Sequence, residues 1–171
     1  MGDGVASGEG MLPHVPYKEL RSALRKKAMD LLARREHAVV ELHQKLQAFS
    51  KKRGYDTGCV NKIVDELQTE GLVSDERFTE AFVRYRMNNG YGPRRIQIEL
   101  RERGVNEKIQ AAHLDFGSPQ WLERATQVRC KRFGIGLPED YKERARQARF
   151  LQYRGFTTDQ ARWALGGDDC E

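Results

Sequence analysis

The chain has 171 residues, with 30 Lys and Arg against 25 Asp and Glu, so it carries a net charge of +5. That length suits one domain or a short array of small units. No stretch approaches the roughly 18 apolar residues of a membrane helix, and residues 1–10 lack the basic start and apolar run of a secretory signal, so a cytoplasmic protein without membrane contact is expected. Cys59, Cys130 and Cys170 are odd in number and scattered, which fits neither a disulfide framework nor a C-x-x-C clip, and predicts reduced thiols.

Residues 1–16 are rich in Gly and Pro and carry no apolar rhythm, which predicts a disordered tail ending at Tyr17. From there every segment has helical spacing. Tyr17, Leu20, Leu24, Leu31 and Leu32 mark the first helix, and Val39, Leu42, Leu46 and Phe49 the second. Val60, Ile63, Val64 and Leu67 form a third stripe that stops at Gly71, a natural left-handed terminator. Ser74 caps a fourth helix whose stripe is Phe78, Ala81, Phe82 and Tyr85. Pro93 opens a fifth that buries Ile96 and Leu100 and ends at Gly104, and Asn106 caps a sixth. Ser118 and Pro119 start a seventh with Trp121, Leu122, Ala125 and Val128 inside, broken by Gly134 and Gly136. Tyr141, Ala145, Ala148 and Leu151 line an eighth up to Gly155. Thr157 and Gln160 then form a capping box for a ninth that ends at Gly166 and Gly167.

The nine helices fall into three sets of three, and the chain shows weak self-similarity. Leu100-x-x-x-Gly104-Val105 recurs as Leu151-x-x-x-Gly155-Phe156, with Leu46 and Gly54-Tyr55 in the corresponding places of the first set and Phe49 to Arg53 lengthening that connection. The expected fold is all-α: three tandem three-helix units over 17–71, 72–117 and 118–167, stacked into an elongated curved molecule, with an acidic end at 168–171. Units of this size bury too little alone, so neighbours must share surface. Gly104 and Gly155 are expected to be structural turns in the left-handed region. Trp121, Trp163, Phe78, Phe150 and Phe156 are expected in the core.

Enzyme chemistry finds no support. His14, His37, His43 and His113 show no i, i+4 pair or metal spacing, there is no phosphate-binding loop, and Gly90-Tyr91-Gly92 lacks a third glycine and a preceding strand. No cofactor, metal or catalytic residue is expected, and His37 at a helix start should bond to backbone. The charge is bipolar instead. Arg84 to Arg103 holds six arginines against Glu99 and Glu102, and Lys142 to Arg154 holds five basic residues against Glu143, whereas Lys62 to Glu80 is acidic. Such a surface steers docking on a complementary partner. One at a time, these arginines are accounted for as solvated helix faces. Helix, glycine turn, helix at Arg94 to Leu114 imitates a DNA-binding motif, yet Glu107 to Leu114 offers Lys108, Gln110 and His113 and no arginine for guanine edges. Weak non-sequence-specific DNA binding is therefore the alternative function.

Several blocks taken together resemble the RecX family, bacterial regulators of the RecA recombinase. They are Arg35-Glu36-His37 with Glu41-Leu42 and Lys45-Leu46; Asp75-Glu76-Arg77-Phe78; Gly90-Tyr91-Gly92-Pro93-x-Arg95-Ile96 with Glu99-Leu100; and Arg149-Phe150-Leu151 with Arg154-Gly155-Phe156. Ala38 departs from the pattern, which has a serine or similar cap there; Ala cannot accept an amide. The resemblance implies three tandem three-helix units lying in the groove of the RecA filament on single-stranded DNA. It also implies a negative modulator that restrains ATP hydrolysis, strand exchange and co-protease activity in DNA repair and recombination. For Arg35, Arg86, Arg95, Arg149 and Arg154 the family pattern implies filament contacts. A free monomer is expected, because no heptad pattern or long apolar face is left over.

Overall fold

The computed structural model describes residues 15–166, which form nine α-helices and no strand. The expectations for residues 1–14 and for the acidic end fall outside the described residues. The helices are α1 (Tyr17–Leu32), α2 (Val39–Arg53), α3 (Cys59–Thr69), α4 (Asp75–Asn88), α5 (Pro93–Glu102), α6 (Glu107–His113), α7 (Gln120–Phe133), α8 (Tyr141–Arg154) and α9 (Thr158–Ala164). Each packs chiefly against the other two of its own consecutive triplet. None is long and apolar enough to cross a membrane.

Local chemistry places the helix ends. Ser74 Oγ accepts the Arg77 amide, Asn106 Oδ1 accepts the Lys108 amide, and Thr157 and Gln160 close a reciprocal capping box. Asp140, which carries no signal in the apolar pattern, caps α8 through the Glu143 amide. At α7 the Ser118 carbonyl accepts the Trp121 amide, and no side chain caps the helix.

The repeat is plainest at the ends of α2, α5 and α8. In each, a glycine with positive φ (Gly54, Gly104, Gly155) donates to a carbonyl three residues back, and the next residue donates five back: Tyr55 to Ser50, Val105 to Leu100, Phe156 to Leu151. The expected alignment of Leu46 with Leu100 and Leu151 is thereby corrected. Helix α2 runs on to Arg53, the turn is the same in all three units, and the residue in the leucine position is Ser50. Ser50 is fully buried and its hydroxyl has no partner. Ser50→Ala should therefore raise stability by roughly 1 kcal/mol, since an unpaired buried hydroxyl is removed and helix propensity improves. A melting temperature unchanged or lowered in thermal denaturation would contradict this.

Two cores result. The first, centred on Leu24, Leu42, Leu46, Ile63 and Leu67, belongs wholly to α1–α3 and the turn after them. The second is continuous through the second and third triplets, joining Phe78, Ile96 and Leu100 to Trp121, Leu151 and Phe156. Sharing of apolar surface thus holds between units two and three, while unit one closes on itself. Its single contribution to the second core is Ala38.

The aromatic expectations divide. Phe78, Trp121 and Phe156 are buried, with the Trp121 indole N–H donating to the Asp115 carbonyl, and Phe150 is half-buried against Phe133. Trp163, Tyr85, Tyr141 and Tyr17 are exposed, contrary to expectation. In the seven-residue α9 the inward face is set by Gln160, Ala161 and Ala164, which turns Trp163 away. In α4 the buried face is Phe78, Thr79 and Val83, leaving Tyr85 at the outer margin of a stripe that is wider than its packing partner. Tyr17 and Tyr141 open their helices, ahead of the turns that pack. A buried charge takes the opposite course. Arg129, one turn beyond Trp121 and Ala125 on the same face, is 2% exposed and donates to the Ile135 and Gly136 carbonyls, which anchors the loop between α7 and α8.

Candidate partner-binding surface

The residue blocks that stand far apart in the chain meet in pairs, at the two joints between units. At the first joint Asp75 Oδ1 accepts the Val39 amide at 2.8 Å, and Arg77 pairs with Glu36 at 3.0 Å. The cap that Ala38 cannot provide for α2 thus comes from the first turn of α4. Ala38 is small because it is wholly buried in the second core. Burial pushes the Asp75 carboxyl above its ordinary range, against the amide that favours its charged form.

His37 is buried beside this joint, and its Nδ1–H donates to the Arg35 carbonyl at 3.0 Å. Burial holds its pKa below 6.5, only partly offset by that hydrogen bond. The unfolded chain binds a proton near pH 6.5 that the folded chain refuses. Stability should consequently be full above that pH and decline as pH falls through the lower folded value. His37→Gln should flatten the fall in melting temperature between pH 7 and 5.5; an unchanged slope would remove this role.

Arg35 lies at the same joint. It is exposed, pairs with Glu41, and donates to the Glu36 carbonyl. Burial alone would raise the Glu41 carboxyl, but Arg35 bonds to both its oxygens and holds it below the ordinary range.

The second joint joins helix ends. The Gly92 amide donates to the Arg154 carbonyl at 2.9 Å and the Arg94 amide to the Gly155 carbonyl at 3.0 Å, so the unpaired amides opening α5 meet the unpaired carbonyls closing α8. Pro93 occupies the position between them, where an amide hydrogen has no use. The approach demands glycine twice. A Cβ on Gly92 would fall 2.3 Å from the Phe156 nitrogen, and one on Gly155 would fall 2.6 Å from the Arg95 nitrogen.

Side chains complete this seam. Glu99, 8% exposed, accepts from Arg86 and, at 3.0 Å, from Arg95, while Tyr91 lies between Arg86, 3.6 Å from its ring centre, and Arg154 at 5.2 Å. Arg86 is thus largely buried, and its charge is held by Glu99 and Tyr91. Arg86 is therefore not the solvated helix-face arginine that the sequence led us to expect. Arg95 keeps about half of its side chain in water, and Glu99 stabilises its charged form. Arg154 is half-buried and also faces Phe150. Arg149 is exposed on α8, without an ion pair among the described residues, with Arg146 one turn before and the 82% exposed Tyr153 one turn after. The structure therefore brings Arg86, Arg95 and Arg154 together, sets Arg149 on the same helix as Arg154, and places Arg35 at the other joint. Charge patterning passes over Gly92 and counts Glu99 only as one of two acids among six arginines; their place in the recurring blocks is what marks them.

No group of three or more His, Cys, Asp or Glu side chains among the described residues could hold a metal ion. The family model described as RecX, second three-helix domain, matches residues 74–114, and RecX, third three-helix domain, matches residues 119–165. The chain is similar to the regulatory protein RecX of Halorhodospira halophila, 48% identical over 147 residues that cover 86% of this chain and 89% of that protein. With the RecX of Pseudomonas syringae pv. tomato it shares 44% identity over 150 residues, covering 86% and 94% of the two chains. The crystal structure of RecX from Lactobacillus salivarius has the same fold, with a TM-score of 0.71 at 19% identity over 87% of this chain and 96% of that one. Two matched three-helix domains and close relatives along most of its length make this chain a member of the RecX family of regulatory proteins.

Proposed function

We propose that this chain is a negative modulator of a RecA-type recombinase that acts as a monomer, binds in the groove of the nucleoprotein filament, and restrains ATP hydrolysis, strand exchange and co-protease activity. It works by binding alone and needs no cofactor. The observation that supports this reading is the seam between units two and three, where Arg95, Arg149 and Arg154 keep guanidinium surface in or near solvent on a rigid frame. Arginines presented in this way recognise carboxylates and phosphates with fork geometry, and a nucleoprotein filament offers both.

The test separates binding from folding. Arg95→Ala with Arg149→Ala should leave the melting temperature within a few degrees of wild type, because exposed charges contribute little to stability. Inhibition of ATP hydrolysis by a preformed filament should nevertheless weaken by an order of magnitude or more, as expected when interface arginines are removed. Lys18→Ala with Lys26→Ala, both exposed on α1, serves as the charge-matched control. Equal inhibition by both double variants and the wild type would reject the seam as the contact surface, and sedimentation of a concentration-independent dimer would reject the monomer.

A further inference from the structure

Helices α1 and α2 leave between them a groove of about 520 Å³ that takes no part in either joint. Leu31, Ala48 and Phe49 give it an apolar surface, Lys27, Lys45, Lys52 and Arg53 surround that surface, and no carboxylate lines it. Where α1 faces α3, by contrast, its cations have their own carboxylates: Arg21 pairs with Glu66 and Arg25 with Glu70. Lys27, Lys52 and Arg53 take part in no ion pair among the described residues. Lys45 comes only within 3.8 Å of Glu41, whose two oxygens already accept from Arg35. The dipole of α2 accounts for a basic last turn at Lys51 to Arg53. It does not account for Lys27, which stands in the interior of α1.

The spacing selects what fits. Lys45 and Lys52 are seven residues apart on α2, so they stand about 10 Å apart along the helix with Ala48 and Phe49 between them. Four like charges around an apolar surface attract an anion that also carries an apolar group. An extended polypeptide advances about 3.3 Å per residue, so carboxylates three positions apart reach both ends of the row. The side chains between them then cover Leu31, Ala48 and Phe49. A nucleic-acid strand fits worse. Lys27 Nζ and the Arg53 guanidinium already lie over the Phe49 ring, 5.9 Å and 5.3 Å from its centre, and Tyr55 meets it edge-on. A base could stack there only by displacing the cations that its own phosphates need, and Leu31 and Ala48 offer no ring.

We propose that the groove between α1 and α2 docks an acidic protein segment, with carboxylates on Lys45 at one end and on Lys27, Lys52 and Arg53 at the other, and an apolar side chain against Leu31, Ala48 and Phe49. The proposal goes beyond the filament reading, because the seam between units two and three takes no part in it. The experiment is fluorescence anisotropy of a labelled peptide, Glu-Glu-Phe-Leu-Glu-Glu with blocked ends, titrated with the full chain, recombinase absent. Replacing Lys27, Lys52 and Arg53 together by Gln should weaken binding at least tenfold, and raising the salt should weaken the wild type more than this variant. Ala48→Glu, which leaves every cation in place and sets a carboxylate in the middle of the exposed row, should weaken it by a similar factor. The triple Gln replacement of Lys18, Lys108 and Lys142, exposed on three different helices, should do neither. A peptide with Gly-Gly in place of Phe-Leu should bind the wild type several-fold more weakly.

Wild-type affinity in the groove variants, or equal losses in the control, would overturn the proposal. Equal binding of the Gly-Gly peptide would overturn it too, since the apolar surface would then play no part. So would oligothymidylate displacing the labelled peptide as well as unlabelled peptide does, which would mark the groove as a site for any polyanion. Circular dichroism of each variant verifies that folding is retained. Arg95→Ala with Arg149→Ala keeps the two readings apart: that variant should bind the peptide as the wild type does, and a loss equal to that of the groove variants would move the peptide to the seam and reject the groove.

Discussion

Gly155→Ala is expected to destabilise the protein by about 3 kcal/mol, whereas Gly54→Ala, at the equivalent turn of the first unit, should cost only about 1 kcal/mol. Both glycines have positive φ, 96° and 67°, so both substitutions force an L side chain into the left-handed region. They differ in what the new methyl group meets. At Gly54 there is nothing within 4 Å; at Gly155 the Arg95 backbone nitrogen stands at 2.6 Å and its Cβ at 2.3 Å. Backbone cannot swing aside as a flexible side-chain end can, so the α5–α8 joint has to open, with loss of the hydrogen bonds donated by the Gly92 and Arg94 amides. For a chain of this size, melting temperatures lower by roughly 6–12 °C and 2–4 °C are expected. Gly104→Ala belongs between them, because its methyl would meet Val40 Cγ2 at 2.7 Å, an atom that a rotamer change can move. Equal losses at Gly54 and Gly155 would show that conformation alone matters and that the joint tolerates displacement.

Arg86→Ala should also cost roughly 3 kcal/mol, because it strands a buried carboxylate. The Glu99 side chain is 11% exposed and would keep only Arg95, whose guanidinium is half in water and reaches it through a single Nε bond at 3.0 Å. Tyr91 would lose the cation 3.6 Å from its ring centre. Replacing both partners, Arg86→Met with Glu99→Met, should recover most of that loss, since neither member of the pair is then left as an unpaired buried charge. Denaturant unfolding of the two single variants and the double variant checks this as a cycle. Additive losses would mean that the pair does not interact. The same cycle bears on function: a loss of inhibition in Arg86→Ala that returns in the double variant belongs to the frame, and one that persists belongs to the contact surface.

Apolar spacing at 3.6 residues, together with Ser74, Pro93, Asn106 and the Thr157–Gln160 box, determined nine helices and most of their ends, because these signals act within one or two turns of backbone. The glycines after α5 and α8 were equally legible, since a left-handed terminator is a local property of a residue without Cβ. The recurring blocks marked which residues matter but not what they do. Charge counting assigned the arginines of α4, α5 and α8 to a surface, and for Arg95 and Arg149 the side chains do reach solvent, while Arg86 keeps only 18% of its side chain there. Whether a helical arginine is solvated or buried depends on a carbonyl or carboxylate contributed from another segment, as Glu99 is for Arg86 and the loop after α7 is for Arg129. The same limit hid the cap on α2, which Asp75 supplies from 36 residues away. It also hid the division into a closed first core and a shared second one, because Ala38, a small residue with no pattern of its own, is buried in a cluster whose other members all come from the second and third units. Short-range hydrogen bonding and amphipathicity thus decided the elements, and only the meeting of chain segments in three dimensions decided which charges face a partner and which hold the units together.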